Sequence, residues 1–176
     1  MTNFLITIIA LFMTQGIVLF DFKKDSSSSG WYIVDDSVMG GRSEGAVTID
    51  SDGHGVFEGT VSLDNNGGFS SVRYRSGTIN LDQYNRFVLR VKGDGKSYQF
   101  RVSGSRTDRH SYTYTFATNG DWQLIEIPFA EMTPTFRGFV PDIPNFHGNK
   151  MEEMGFLIGN KKAESFRLLI DRIGAE

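Results

Sequence analysis

The sequence predicts an all-β protein whose antiparallel strands form a β-sandwich, and three observations predict it. Apolar and polar residues alternate with period two in short runs that recur about every eight to twelve residues. Glycine and phenylalanine are frequent, at 20 and 15 of 176 residues, which suits tight turns and bulky pleated surfaces. Beyond the N-terminal segment, no window longer than about ten residues keeps a helical period. Two facing sheets of the jelly-roll type satisfy all three observations.

The strands are predicted in chain order from this alternation and from the turns between the runs. They are 17–22, 45–50, 55–63, 68–75, 86–92, 97–103, 110–117, 121–128, 155–159 and 166–173, and a further run begins at Trp31. Gly-Asp-Gly at 93–95 and Thr-Asn-Gly at 118–120 each predict a hairpin. All four prolines lie between 128 and 144, which predicts a single long irregular loop there.

The alternation also predicts which side chains face the core. In three consecutive strands the predicted core residues are Phe87, Leu89 and Val91, then Tyr98, Phe100 and Val102, then Tyr112, Tyr114 and Phe116. Each strand therefore has one apolar face, which the packing of two sheets requires.

Residues 4–13, FLITIIALFM, form an almost wholly apolar run. A run of this length suits the core of a signal peptide better than a membrane span, which needs about twenty residues. We therefore predict a signal peptide or membrane-targeting segment at 1–16 and a single jelly-roll domain at 17–176. An uncleaved anchor and an additional strand are the alternatives for the segment. The prediction places the protein outside the cytoplasm, in the periplasm or at the cell envelope.

The composition and the missing motifs exclude several classes of protein. The balance of 18 basic and 21 acidic residues gives a net charge of −3, which argues against a nucleic-acid partner. The chain has no cysteine, so disulfides and cysteine-ligated metals are excluded. Zinc-hydrolase, phosphate-loop and nucleophile-elbow motifs are missing from the sequence. We expect no cofactor and no enzymatic activity.

One short segment has the residue types of a calcium loop. Asp50-Ser51-Asp52-Gly53 resembles the start of such a loop, but its glycine comes two positions early and Val61 replaces the final glutamate. The segment therefore predicts a hairpin turn, and we expect no metal site.

Two glycine-rich segments differ from simple hairpin turns. They are WYIVDDSVMGGRS at 31–43 and NNGGFSSVR at 65–73, and each combines a double glycine, small hydroxyl residues and an arginine. Double glycine permits positive φ or a close approach of another chain segment. Adjacent strand residues point to opposite faces, so Asp35 and Asp36 do not predict an acid–base pair, and Asp36 is predicted to cap amides of its loop. The segments predict a rigid corner, either structural or a binding edge.

Four arginines lie on the polar faces of successive predicted strands: Arg73, Arg75, Arg90 and Arg101. If these strands pair, the guanidinium groups gather on one sheet surface, where they suit carboxylates, sugar hydroxyls or phosphate. A solvated face paired with local acids is the alternative.

The two glycine-rich segments are followed by GDGKSYQFRV at 93–102, DWQLIEIPFAEMTPTFRG at 121–138 and MGFLIGNKKAESFRLLIDRI at 154–173. In order and spacing they resemble the complex I intermediate-associated protein family, over about 18–173. The resemblance implies a galactose-binding-like jelly roll and a non-catalytic role in assembly of respiratory NADH:ubiquinone oxidoreductase. It also implies a cytoplasmic-face or mitochondrion-like location as the alternative to export.

Two functions follow as hypotheses. The first is a monomeric module that binds a protein partner, including membrane-complex assembly intermediates, and the second is a carbohydrate-binding module of an exported protein. The predicted binding residues are Asp36, Met39, Gly40, Gly41, Arg42, Ser43, Asn66, Gly67, Gly68, Phe69, Ser70, Arg73 and Arg101. An open, flat aromatic ring beside Arg73 or Arg101 would favour a sugar ligand, with Trp31, Tyr74 and Trp122 as the candidates.

Overall fold

A computed structural model describes residues 16–25 and 28–176. Its strands are β1 (Ile17–Asp21), β2 (Trp31–Asp35), β3 (Glu44–Ile49), β4 (Gly55–Val61), β5 (Ser70–Asn80), β6 (Arg86–Lys92), β7 (Ser97–Ser103), β8 (Ser111–Ala117), β9 (Trp122–Pro128), β10 (Thr133–Thr135), β11 (Lys150–Ile158) and β12 (Glu164–Ala175). The helices are short: α1 (Phe22–Asp25) and three 3₁₀ turns at Asp36–Met39, Asp64–Asn66 and Phe129–Glu131. Apart from Gly16, the targeting segment predicted at 1–16 lies outside the described residues.

The strands form two antiparallel six-stranded sheets. The first sheet has the order β3-β4-β12-β6-β9, with β1 also paired to β12. The second sheet has the order β10-β8-β7-β11-β5-β2. The all-β jelly-roll sandwich predicted from the sequence is thereby confirmed. Among the described residues, no helix is long and apolar enough to cross a membrane.

The core lies between the two sheets and contains the side chains that the alternation predicts. Phe87, Leu89 and Val91 of β6 are fully buried, and so are Tyr98 and Phe100 of β7. In β8, Phe116 is buried while Tyr112 and Tyr114 are half-buried against the same core. The predicted inward faces of these three strands are therefore confirmed.

The proline window is not the single irregular loop that the sequence predicts. It contains the 3₁₀ turn Phe129–Glu131 and the short strand β10, which pairs with β8. Pro134 fits this strand because β10 lies at the edge of its sheet, where a missing N–H leaves no ladder bond unmade.

The pairing of β5 with β11 is longer than the sequence predicts. β5 continues to Asn80 and β11 begins at Lys150, whereas the prediction ends the first at 75 and begins the second at 155. The register shifts between Met151 and Glu153, so no uniform alternation marks this part of the ladder. The extension therefore depends on the partner strand and not on local pattern.

Candidate functional site

The two glycine-rich segments meet around one buried carboxylate, that of Asp36. We call residues 36–43 and 64–70 the corner loops. Asp36 is fully buried and accepts hydrogen bonds from the backbone N–H of Ser43 (2.9 Å), Gly68 (2.6 Å) and Phe69 (3.2 Å), and from the Ser43 hydroxyl. The predicted capping role of Asp36 is confirmed, and it extends to a loop more than thirty residues away in the sequence.

Hydrogen bonding decides the ionisation of Asp36. Burial raises the pKa of this carboxyl, but the hydrogen bonds from Ser43, Gly68 and Phe69 outweigh it and lower the pKa below the ordinary value. Asp36 is therefore a structural carboxylate with its oxygens directed at this chain, and none of its surface faces solvent.

The neighbouring carboxylate of Asp35 joins the same corner from the other side. It accepts hydrogen bonds from the Gly45 N–H (2.9 Å) and the Ser70 hydroxyl (2.6 Å). Since Ser70 begins β5 and Gly45 lies in β3, Asp35 links the two sheets. The pair Asp35-Asp36 thus fixes a corner of the sandwich.

The glycines of the corner loops are required for two different reasons, close packing and positive backbone φ. A Cβ at Gly41 would collide with the Asp36 carboxylate, and one at Gly67 would lie 2.6 Å from its Oδ2. Gly40 and Gly68 instead have positive φ, +91° and +140°. The remaining predicted residues of the loops lie at the periphery. Arg42 is exposed and faces Asp64 at 3.8 Å.

Asn66 also lies at the periphery and is exposed, with a left-handed φ of +59°. Phe69 is half-buried and contributes its N–H to Asp36. The Met39 side chain lies outside the described part of the structure. The corner loops therefore present few free polar groups, and the binding role predicted for them stays a prediction.

The other two predicted binding residues, Arg73 and Arg101, lie on the outer face of the second sheet. Register places Tyr32, Arg73, Gly155, Arg101 and Thr113 side by side across β2, β5, β11, β7 and β8. Residues directly opposite one another share a face, so the two arginines flank Gly155, which has no side chain to fill the space. We call this surface the arginine face.

The arginine face contains a small depression with a cavity volume of about 10 Å³, room for about one water molecule. Its polar lining residues are Ser71, Arg73, Arg101, Ser103, Ser111 and Glu153. The sequence prediction that arginines gather on one sheet surface holds for Arg73, Arg75 and Arg101. It is wrong for Arg90, because β6 belongs to the first sheet, where Arg90 pairs with Asp171 at 2.8 Å.

One side of the arginine face is already paired. Glu153 accepts a hydrogen bond from the Tyr32 hydroxyl and lies 3.5 Å from Arg73 Nη1. The Arg75 guanidinium covers a face of the Tyr32 ring, 4.7 Å from its centroid. Burial, together with the hydrogen bond to Glu153, raises the pKa of Tyr32. Sequence reasoning missed Glu153 because it lies in the part of β11 that the alternation does not reveal.

The other side of the arginine face is unpaired. Within residues 16–25 and 28–176, the half-buried Arg101 guanidinium makes no hydrogen bond or ion pair with the protein. Its neighbour in register, Thr113, has a buried hydroxyl that also lacks a partner in the described structure. Burial and the charge of Arg73 lower the pKa of Arg101 to about 10, so it remains a cation at neutral pH. Among the described residues, the Arg101 guanidinium thus has no acceptor, and the Thr113 hydroxyl beside it is too buried to reach one outside the protein.

None of the three candidate aromatic platforms lies open beside these arginines. Trp31 is 6% exposed and packs edge-on against Phe20. Tyr74 packs against the same Trp31 with ring centroids 5.2 Å apart. Trp122 lies in the first sheet, where the Arg90 guanidinium covers it at 4.6 Å. The observation expected for a sugar platform is therefore not met by these rings.

The turn between β3 and β4 contains a second cluster of polar residues. Asp50, Asp52 and His54 each place one potential metal-ligand atom within 4.8 Å of the others. The Asp50 carboxylate accepts hydrogen bonds from the backbone N–H of Asp52 (3.0 Å) and His54 (2.8 Å), which is the predicted hairpin turn. Burial opposes ionisation of Asp50, but the hydrogen bonds outweigh it and lower its pKa. The expected lack of a metal site stays a prediction.

Comparison with known proteins identifies the family. A family model described as Complex I intermediate-associated protein 30 matches residues 20–170. The chain belongs to this family. The match includes both corner loops and the whole arginine face.

Curated relatives agree with the family match. The mitochondrial Complex I intermediate-associated protein 30 of Drosophila melanogaster is 30% identical over 190 residues, covering 90% of this chain and 62% of the relative. The mitochondrial protein of the same name from Mus musculus is 25% identical over 185 residues, covering 92% and 56%. The chain therefore spans about three fifths of the length of these two relatives.

Solved structures show the same fold at low sequence identity. A family 11 carbohydrate-binding module from Clostridium thermocellum, solved with a β-1,3-1,4-mixed-linked tetrasaccharide, has a TM-score of 0.65 and 16% identity, covering 91% of this chain and 94% of the module. An exo-β-agarase has a TM-score of 0.57 and 8% identity, covering 93% of this chain and 25% of the enzyme. These likenesses show that the two-sheet jelly-roll fold is shared with these proteins.

Proposed function

We propose that this member of the family is a non-catalytic binding module that holds a carboxylate-bearing segment of a protein partner on its arginine face. The observation that carries the proposal is the half-buried Arg101 guanidinium, which has no acceptor among the described residues. Partly buried cations without a partner are costly, and a guanidinium binds a carboxylate through two parallel hydrogen bonds. A bound carboxylate would also offset the repulsion between Arg101 and Arg73.

The groups around Arg101 fit a carboxylate on an extended peptide. Ser103 and Ser111, whose hydroxyl oxygens lie 3.2 Å apart, provide hydroxyls along the same face. Glu153 on the other side is already held by Tyr32 and Arg73, so it does not compete for Arg101. The arrangement therefore favours one acidic side chain or chain terminus flanked by polar contacts.

We propose a non-catalytic role because the groups with shifted pKa values on this face do not titrate near neutral pH. The shifted pKa values there, upward for Tyr32 and to about 10 for Arg101, both stay well above neutrality. General acid–base catalysis works best with groups that titrate near the working pH.

The names of the relatives suggest which partner this is. They are complex I intermediate-associated proteins, so we propose a membrane-complex assembly intermediate as the partner, bound by a monomer of this chain. Two locations remain as proposals. The apolar N-terminal segment supports export to the cell envelope, and the mitochondrial relatives support the face of the membrane on which complex I is assembled.

Affinity purification tests the proposal. Tagged full-length protein, Arg101→Gln and Arg167→Gln would be used to capture partners from separate membrane, envelope and cytosolic fractions, with quantification by mass spectrometry. Arg167 is the matched control because it is an exposed strand arginine of the first sheet, paired with Glu58 at 3.4 Å. We expect Arg101→Gln to lower recovery of complex I assembly subunits about tenfold or more, and Arg167→Gln to leave it unchanged. Equal recovery with both variants would contradict the proposal.

The carbohydrate-binding alternative draws support from the fold of its structural neighbours. Against it stands the burial or coverage of Trp31, Tyr74 and Trp122, which leaves these rings unable to stack on a sugar. Calorimetric titration with the β-1,3-1,4-mixed-linked tetrasaccharide separates the two functions. We expect no heat of binding, and a saturable signal that Arg101→Gln abolishes would establish the alternative.

A further inference from the structure

The segment between β10 and β11 has an exposed apolar tip. Phe139 is 65% exposed, Val140 62% and Ile143 38%, and we call these three residues the apolar tip. They are half of the large hydrophobic residues that are exposed in the described part of the chain, and they lie within five consecutive positions. Clusters of exposed apolar side chains on a small domain indicate a contact surface.

The backbone at the apolar tip is well defined. Phe136 and Phe139 exchange backbone hydrogen bonds of 2.8 and 2.9 Å across a two-residue turn. Arg137 and Gly138 in that turn both have positive φ, +49° and +79°, as a tight hairpin requires. Below the turn, the buried Phe146 donates its N–H to the Met132 carbonyl, so the tip stands on the core. The tip therefore projects its apolar side chains from a fixed base.

The N-terminal segment leaves the sandwich at the same end. A Cβ at Gly16 would lie 2.9 Å from the Glu176 side chain. The Glu176 carbonyl accepts hydrogen bonds from Asn85 (2.7 Å) and Arg86 (3.1 Å), and the Asn85 carbonyl accepts one from Phe129 (2.8 Å). Phe129 begins the segment that contains the apolar tip, so a short chain of contacts joins the two features.

We propose that this end of the sandwich contacts a lipid bilayer, with the apolar tip inserted at the level of the headgroups. The ten apolar residues at 4–13 precede Gly16, and an uncleaved anchor of this composition brings this end of the domain to a membrane. Arg137 lies in the turn between Phe136 and Phe139 and is exposed, with its guanidinium 5.4 Å from the Phe136 ring centroid, and in the proposed orientation it contacts lipid phosphates. The apolar tip and the arginine face use different side chains, and they adjoin where Ser111 pairs with Thr135, just before the turn of the tip.

Site-specific fluorescence on the full-length chain tests the proposal. The sequence has no cysteine, so Val140→Cys and Leu124→Cys each introduce a unique labelling site for an environment-sensitive dye. Leu124 is the matched control, since it is 64% exposed and lies on β9 of the first sheet. With phosphatidylcholine vesicles that contain phosphatidylglycerol, we expect a blue shift and an intensity increase at position 140 and none at 124. A dye at 140 that stays in water while the protein cosediments with vesicles would overturn the proposal.

A partition measurement provides the second test. We expect Phe139→Ser combined with Val140→Ser to lower vesicle binding of the full chain about tenfold, because two exposed apolar side chains no longer enter the interface. Leu124→Ser should have no effect. Since all three side chains are exposed, melting temperatures should match the parent for every variant. Equal vesicle binding by the double variant and the control would show that the tip does not touch lipid.

Discussion

The corner loops and the unpaired side of the arginine face differ in whether their polar groups have hydrogen-bond partners. Around Asp36, four donors from Ser43, Gly68 and Phe69 converge on one buried carboxylate. On the arginine face, Arg101 and Thr113 have polar groups without a partner in the described structure. A satisfied cluster stabilises the fold, while an unsatisfied one is available to a ligand. We therefore expect a structural role for the corner loops, and the binding role of the arginine face remains the one proposed above.

The largest expected effect is the loss of the Asp36 carboxylate. Asp36→Ala leaves the N–H groups of Ser43, Gly68 and Phe69 without an acceptor, and we expect a loss of about 3 kcal/mol in the free energy of unfolding. Urea denaturation measures it. Asp64→Ala is the control, because the exposed carboxylate of this corner residue makes only a 3.8 Å ion pair within the described part of the chain, and the variant should stay within about 0.5 kcal/mol of the parent. Similar stabilities for the two variants would show that the corner is not structural.

The next largest effect is expected for two glycine substitutions, one of which tests close packing and the other backbone strain. Gly41→Ala places a Cβ against the Asp36 carboxylate, whereas Gly40→Ala meets open space but has a φ of +91°. We expect about 2 kcal/mol of destabilisation for Gly41→Ala, from the broken Asp36 contacts, and about 1 kcal/mol for Gly40→Ala. Thermal melting of the two variants checks the order. A reversed order would mean that positive φ matters more than the packing around Asp36.

Acid should weaken the corner loops selectively. The pKa of Asp36 is lowered from its ordinary value of 3.8 by folding, so its contribution to stability is present above that value and is lost as the pH falls through the folded pKa. We expect the unfolding free energy of the parent to fall more steeply than that of Asp36→Ala between roughly pH 5 and 2.5. Urea titrations at several pH values measure both slopes. If the unfolding free energies of the parent and of Asp36→Ala fell with the same slope, the lowered pKa of Asp36 would be contradicted.

We expect the smallest changes in the free energy of unfolding on the arginine face. There the substitution stabilises the protein, whereas the substitutions in the corner loops destabilise it. Thr113→Val removes a buried hydroxyl without a partner, so we expect a gain of about 0.5 kcal/mol. Thr115→Val, on the same strand and face but exposed, should change nothing. Arg101→Met should likewise leave the fold at least as stable as the parent. A loss of more than about 1 kcal/mol for Thr113→Val would show that the hydroxyl serves the fold.

Local patterns explain why much of the fold was predictable. The inward faces of β6 and β7 follow from strict alternation, and the bounds of both strands agree with the prediction. Where alternation fails, as in β11 from Lys150 to Glu153, the beginning of the strand and the carboxylate of Glu153 were missed, although the rest of the strand was predicted. The proline window was also misread, because a strand of three residues carries too little pattern to be recognised.

The candidate site was predictable in its residue types and not in its arrangement. The double glycines pointed to special backbone, but Gly41 has no positive φ and is required instead by the Asp36 carboxylate beside it. The four arginines looked equivalent in sequence. Sheet assignment separates Arg90 from the rest, and register brings Arg73 and Arg101 to either side of Gly155.

The sequence alone determined most of the strands, the buried faces of β6, β7 and β8 and the positions of several tight turns, because side-chain period and glycine dihedrals act over a few neighbouring residues. Tertiary structure alone decided which amides reach Asp36, which acid holds Arg73 and that Arg101 has no acceptor in the described chain. Those contacts join residues far apart in the sequence, and strand order and register set them. Neither order nor register is encoded in the pattern of any single strand.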